Sequence, residues 1–191
     1  MNNKLTIPIL IIVMLVVVSP AASQTTSPYK NLVFEGGGIR GIAYAGSVDA
    51  LDSMGVLAQI SRVCGTSVGA VVACLLAVGY SSEEILKLIP SLKIRKFADG
   101  RFGFFGGIPR IISHYGWYRG ERIRILLGNL LYAKTKNAAL TFGELHQFTL
   151  KDKNFRDLYI TATNLTLQRL EILSYETYPE MEIRDAVRIS L

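Results

Sequence analysis

Two short glycine-rich segments hold the residue types that could do chemistry in this chain. The first is Gly36-Gly37-Gly38-Ile39-Arg40-Gly41 and the second is Gly65-Thr66-Ser67-Val68-Gly69. A serine hydroxyl is a weak nucleophile at neutral pH until a neighbouring base takes its proton. The Gly-x-Ser-x-Gly arrangement supplies the geometric half of what such a serine needs. Small residues at Gly65 and Gly69, either side of Thr66 and Val68, let the backbone turn sharply, so that Ser67 projects at the tip while a helix starts behind it. The other need is for donors where a carbonyl oxygen becomes an oxyanion. Consecutive amides at Gly37 and Gly38, opening a helix, would supply them with help from its positive end. Removing one such donor typically costs about 10²–10³ in rate. Arg40 is expected to fix this loop or to meet an anionic head group.

The elements around these segments fit that assignment. Leu32-Val33-Phe34 reads as a buried strand delivering the chain into Gly36, and residues 60–64 read as a second strand ending at the serine turn. Between them Ile42, Tyr44, Ala45, Val48 and Leu51 recur at helical spacing, with Gly55 as a C-terminal stop. Residues 68–78 are apolar on almost every face and predict a buried helix ending at Gly79. Ser81 with Glu84, and Thr141 with Glu144, form two capping boxes. The first predicts a short helix through Ile89, broken at Pro90, and the second a helix to about Phe148. A helix is expected over residues 121–132, strands over 158–163 and 168–175, and a further helix or turn from Glu182. Early alternation of strand and helix predicts an α/β sheet with helices on both faces.

Other chemistries are excluded by what lies around the same residues. The first segment also satisfies Gly-x-Gly-x-x-Gly, the dinucleotide-binding pattern. That reading needs an acid at the end of the next strand to hold the ribose, and here that strand ends in Cys64-Gly65. A standard α/β-hydrolase would use the order Ser, acid, His, with Asp99 and either His114 or His146 as partners. In that fold several strands precede the nucleophile, whereas Ser67 follows the second. Both histidines are read as ordinary surface or packing residues, and Asp99-Gly100 as a turn. Asn164-Leu165-Thr166 matches a glycosylation sequon of the kind that arises by chance.

The 191 residues suffice for one domain with a substantial core. Lys4, an apolar run from Leu5 to Val18 and the small-residue exit Ser19-Pro20-Ala21-Ala22-Ser23 predict a secretory signal peptide over residues 1–23. About 14 apolar residues are short for a membrane span, so cleavage near Ser23 is expected, the alternative being an uncleaved anchor. Residues 24–30 then form a polar lead-in to the domain over 31–191, and the protein is expected to be secreted or exported. Cys64 and Cys74 fall on a strand and the following helix, positions that diverge in space, so two buried, unpaired thiols acting as small apolar side chains are expected. The net charge of +6 is concentrated between Lys87 and Arg124, where nine basic residues meet only Asp99 and Glu121. Phe97, Phe102, Phe104, Phe105, Trp117 and Tyr118 are interleaved with them. Such a stretch suits a membrane surface with anionic lipids, or else a solvated face with inward aromatics. No nucleic-acid-binding motif accompanies the charge.

The order Val-Phe-Glu-Gly-Gly-Gly-Ile-Arg-Gly and then Gly-Thr-Ser-Val-Gly resembles the patatin-like phospholipase family. The resemblance runs from about Asn31 to the end. It includes Tyr115-Gly116-Trp117-Tyr118-Arg119-Gly120, Ala162-Thr163-Asn164 and Asp185-Ala186-Val187-Arg188-Ile189-Ser190. It implies a three-layer α/β/α fold and a Ser–Asp dyad without histidine. It further implies hydrolysis of lipid or phospholipid esters through an acyl-enzyme, with no metal or cofactor required. Ser67 becomes the nucleophile and Gly36 to Gly41 the oxyanion loop. The dyad aspartate of the family belongs to an Asp-Gly-Gly or Asp-Gly-Ala motif placed past Leu191, so the fold is expected to be incomplete at its C-terminus and residues 31–191 alone nearly inert. The alternative is a non-catalytic protein that binds a lipid surface.

Overall fold

The computed structural model describes residues 29–92 and 120–191. The predicted leader, residues 93–119 with most of the basic and aromatic stretch, Asp99 and His114 lie outside them.

Two short apolar runs that end in small or polar residues form the first strands, β1 (Asn31–Phe34) and β2 (Arg62–Gly65). Between them the glycine loop enters a 3₁₀ turn over Gly38–Ile42 and then α1 (Ala43–Ser53). After Ser67 the chain forms α2 (Val68–Ala77), in which every residue from 69 to 77 is buried. A helix apolar on all faces has to lie inside the molecule, and this one packs on β1, β2 and β3. The remaining described elements are α3 (Ser82–Ser91), α4 (Glu121–Thr135), α5 (Phe142–Thr149), β3 (Asp157–Asn164), β4 (Arg169–Leu173) and α6 (Ile183–Ser190).

Among the described residues four strands form one sheet in the order β1-β2-β3-β4. β1, β2 and β3 are parallel, and β4 returns antiparallel to β3. The register aligns Leu32 with Val63 and Leu158, and Phe34 with Gly65 and Ile160. Alternate residues therefore build one buried face under α2, while Val33 on the opposite face is 69% exposed. The mixed α/β architecture expected from the sequence is present, with the sheet in the centre. Among the described residues no helix is long and apolar enough to cross a membrane.

Both capping boxes form. Glu84 N–H donates to Ser81 Oγ at 3.2 Å while Ser81 N–H donates to Glu84 Oε2 at 2.8 Å, and Thr141 with Glu144 repeats the pattern at 3.2 and 2.9 Å. Pro90 does not break α3, which continues to Ser91. A proline costs most in a helix interior, and only the closing turn follows here; the Leu92 amide ends it by bonding the Ile89 carbonyl. The strand after α1 begins at Arg62 rather than Ile60, because Leu57–Gln59 takes up a 3₁₀ turn.

Arg156, just before β3, ties the sheet to its helices. Its guanidinium donates to the carbonyls of Leu76, Asn154 and Leu57 at 3.0–3.1 Å. The first of these belongs to the C-terminal end of α2, where exposed carbonyls favour a cation. Cys64 and Cys74 are both free, as expected. Full burial pushes the Cys74 thiol up to about 12, so it behaves as a small apolar side chain.

Candidate active site

Parallel pairing brings the two glycine segments together. β1 and β2 end level with each other, Phe34 opposite Gly65, so the 36–41 loop and the 65–69 elbow leave the same end of the sheet. The Thr66 amide extends the ladder by donating to the Phe34 carbonyl at 3.1 Å. The next residue cannot remain in a strand. Ser67 has φ 54° and ψ −125°, close to the first central position of a type II′ turn, which glycine usually occupies. The Gly69 amide closes that turn on the Thr66 carbonyl at 2.9 Å, and α2 starts with the Ala70 amide on the Ser67 carbonyl at 2.8 Å. A serine held in such a conformation costs about 1–3 kcal/mol and persists only where its surroundings over-determine it.

The flanking glycines show what those surroundings are. A Cβ on Gly65 would overlap the Gly69 carbonyl, and one on Gly69 would overlap the carbonyls of Phe34 and Glu35. Strand and helix thus approach each other through backbone alone. The loop is just as close to Ser67: a Cβ on Gly36 would stand 3.4 Å from Ser67 Cβ, and one on Gly41 would run into the Val68 side chain. Gly38 takes φ +53°, and the Arg40 amide closes the loop on the Gly37 carbonyl at 3.1 Å. Ile39 is 78% exposed beside it. Tyr44, from α1, donates its hydroxyl to the Glu35 carbonyl at 2.9 Å and holds the loop's entry.

Two further contacts at the elbow were not foreseen from the sequence. Thr66 Oγ1 lies 2.6 Å from Thr161 Oγ1 of β3, and the Ser67 amide donates to Ser190 Oγ of α6 at 2.9 Å. The available signal for the second was periodicity. Ile183, Ala186 and Val187 form the buried stripe of α6, and Ser190 occupies the next position on it, where an apolar residue would be usual. The aspartate of the same segment serves elsewhere: Arg124 Nε donates to Asp185 Oδ1 at 2.9 Å, fastening α6 to α4 and holding the Arg124 pKa above its ordinary value.

Among the described residues the other candidate groups do not reach the elbow. His146 belongs to the opposite end of the sheet, where its Nδ1 lies 2.8 Å from Asp157 Oδ1 and its ring stacks on Tyr175 at 3.8 Å. Asp157 pairs in register with Arg62, the first residue of β2, whereas Ser67 follows the last. Asn164 of the sequon is engaged with Glu171 and with the Leu167 amide. Among the described residues no histidine or carboxylate hydrogen-bonds the Ser67 hydroxyl, and no three His, Cys, Asp or Glu side chains gather as a metal site requires.

The arrangement is a sharp strand-to-helix turn at Ser67 beside a glycine loop. The chain is 34% identical to YqhO of Bacillus subtilis (strain 168) over 172 residues, 85% of this chain and 55% of that protein. It is 29% identical to the probable lipid hydrolase 463L of Invertebrate iridescent virus 6 over 163 residues, covering 85% of this chain and 52% of the viral one. It thus spans about half the length of these curated relatives. Its fold matches that of full-length ExoU of Pseudomonas aeruginosa, solved in complex with SpcU, with a TM-score of 0.67 at 24% identity over 85% of this chain and 38% of ExoU. The family model for patatin-like phospholipases matches residues 32–191, and the chain belongs to that family.

Proposed function

We propose that the protein is a serine lipid acyl hydrolase that cleaves lipid or phospholipid esters through an acyl-enzyme. The observation that carries this reading is the backbone of Ser67, a non-glycine residue held at φ 54° and ψ −125° where β2 turns into α2, with Gly36 alongside. In the first step Ser67 Oγ attacks the ester carbonyl carbon as its proton passes to a carboxylate base, the dyad aspartate expected from the family resemblance. The carbonyl oxygen becomes an oxyanion held by the Gly37 and Gly38 amides, with Ile39, Arg40 and Gly41 completing the loop. Collapse expels the alcohol, which takes the proton back, and water then hydrolyses the acyl-Ser67 ester. The exposed Ile39 and the neighbouring Arg40 suit an approach to a lipid surface. The basic and aromatic residues between Lys87 and Arg124 add to that reading, and the 1–23 segment to one of export.

The test uses the protein isolated from its native source and the same chain carrying Ser67→Ala. The parent is expected to take up a fluorophosphonate probe on Ser67 and to release fatty acid from phospholipid vesicles. The variant should lose labelling altogether and turnover by at least about 10³-fold. Labelling that survives in Ser67→Ala rejects the assignment. Vesicle binding by the parent without labelling or turnover selects the non-catalytic lipid-surface reading.

A further inference from the structure

The Ser67 amide is the group whose partner is least expected. It is the donor of a residue in a glycine-type conformation, and its acceptor is a hydroxyl 123 positions along the chain. That hydroxyl sits on the inward stripe of α6 with Ile183, Ala186 and Val187, three residues with no measurable exposure. The helix is pinned at its other end by the Ile183 amide on the Leu140 carbonyl at 2.9 Å and by the Arg124–Asp185 pair at 2.9 Å. The position of Ser190 Oγ is therefore set by packing and ion pairing well away from Ser67.

We propose that Ser190 is a positioning residue for the nucleophile: its hydroxyl, by accepting the Ser67 amide, holds the elbow in the conformation that presents Ser67 Oγ to an ester. This rests on the reading of Ser67 as nucleophile. Of the other tethers of the elbow, Thr66 N–H on Phe34 and Ala70 N–H on the Ser67 carbonyl fix the residues on either side, while Gly69 N–H on the Thr66 carbonyl holds only the carbonyl edge of the peptide plane that carries the Ser67 amide. Without an acceptor at Ser190 the N–H edge of that plane loses its partner, the plane can tilt about its remaining hydrogen bond, and the hydroxyl shifts with it. The same bond has a chemical corollary. With its N–H committed to Ser190, Ser67 supplies no amide to the oxyanion, and that duty falls to the glycine loop. A small misplacement of reacting atoms is enough to cost about 10²-fold in rate.

The experiment compares the parent protein with Ser190→Ala and Ser190→Thr, each as the full chain. The proposal expects Ser190→Ala to slow fluorophosphonate labelling and kcat by about 10–100-fold, with KM within about twofold. Ser190→Thr, which keeps the hydroxyl, is expected to recover most of the rate. Amide hydrogen exchange at Ser67 should accelerate in Ser190→Ala and not in Ser190→Thr. Labelling of Ser190→Ala at the parental rate overturns the proposal, and so does a Ser190→Thr variant as slow as Ser190→Ala. If the parent itself neither labels nor turns over, the hydrolase reading fails on its own. Exchange at Ser67 then decides the hydrogen bond separately, unchanged protection in Ser190→Ala overturning it.

Discussion

The two glycine turns lie at the same end of the sheet, yet they need glycine for different reasons. In the 65–69 elbow the glycines are demanded by contact: a side chain on Gly65 or Gly69 would strike backbone atoms of the partner element, and Gly69 itself is buried in α2. In the 36–41 loop Gly38 is demanded by its dihedral alone. It takes φ +53°, and a Cβ there would meet nothing within 4 Å. The elbow is thus built to tolerate no change, while the outer part of the loop is constrained only through its own backbone. Gly41 stands between the two cases, because what a Cβ would strike is the Val68 side chain, one residue past Ser67.

Substitutions by alanine grade this difference. Gly69→Ala should be the most damaging, destabilising the protein by about 3 kcal/mol or more, since the Phe34 carbonyl is held by the Thr66 amide and the Glu35 carbonyl by the Tyr44 hydroxyl. A urea midpoint close to that of the parent would show that the elbow is softer than its contacts imply. Gly41→Ala should cost about 1–3 kcal/mol as the loop is pushed off Val68. Adding Val68→Ala should return part of that loss, and a double mutant that is simply additive would remove the mechanical link between loop and elbow. Gly38→Ala should be the mildest, about 1 kcal/mol of backbone strain with the fold intact. If its midpoint fell as far as that of Gly69→Ala, the distinction between the two turns would collapse.

Local chemistry was the part of this molecule that could be read from the sequence. Both capping boxes and the glycine stops at Gly55 and Gly79, each at positive φ, were legible because a cap involves residues three or four apart. So was the all-apolar α2. The elbow was legible as a pattern, although the conformation of Ser67 itself is a property of the strand and helix it joins. The contacts that hold it were not. Thr66 meets Thr161 across 95 positions, a pairing fixed by the register between β2 and β3, and nothing local to either residue signals it. Ser190 could be seen as a polar residue on an apolar stripe, but the stripe does not say which group it would meet. His146 was read as a packing residue, and its stacking on Tyr175 and contact with Asp157 agree with that.

Arg156 carries a consequence for how this chain comes into being on the ribosome. Its guanidinium closes on the Leu76 carbonyl, made 80 residues earlier, and on the Leu57 carbonyl, made 99 residues earlier. Synthesis proceeds at about 5–20 residues per second, so the end of α2 waits about 4–16 s for the side chain that caps it. Throughout that interval β2 has β1 on one side and an open edge on the other, because β3 begins only at Asp157. The nascent chain therefore emerges with an apolar helix and a half-paired strand, a state that a holding chaperone is suited to shield until residues 156 and 157 arrive together and close both.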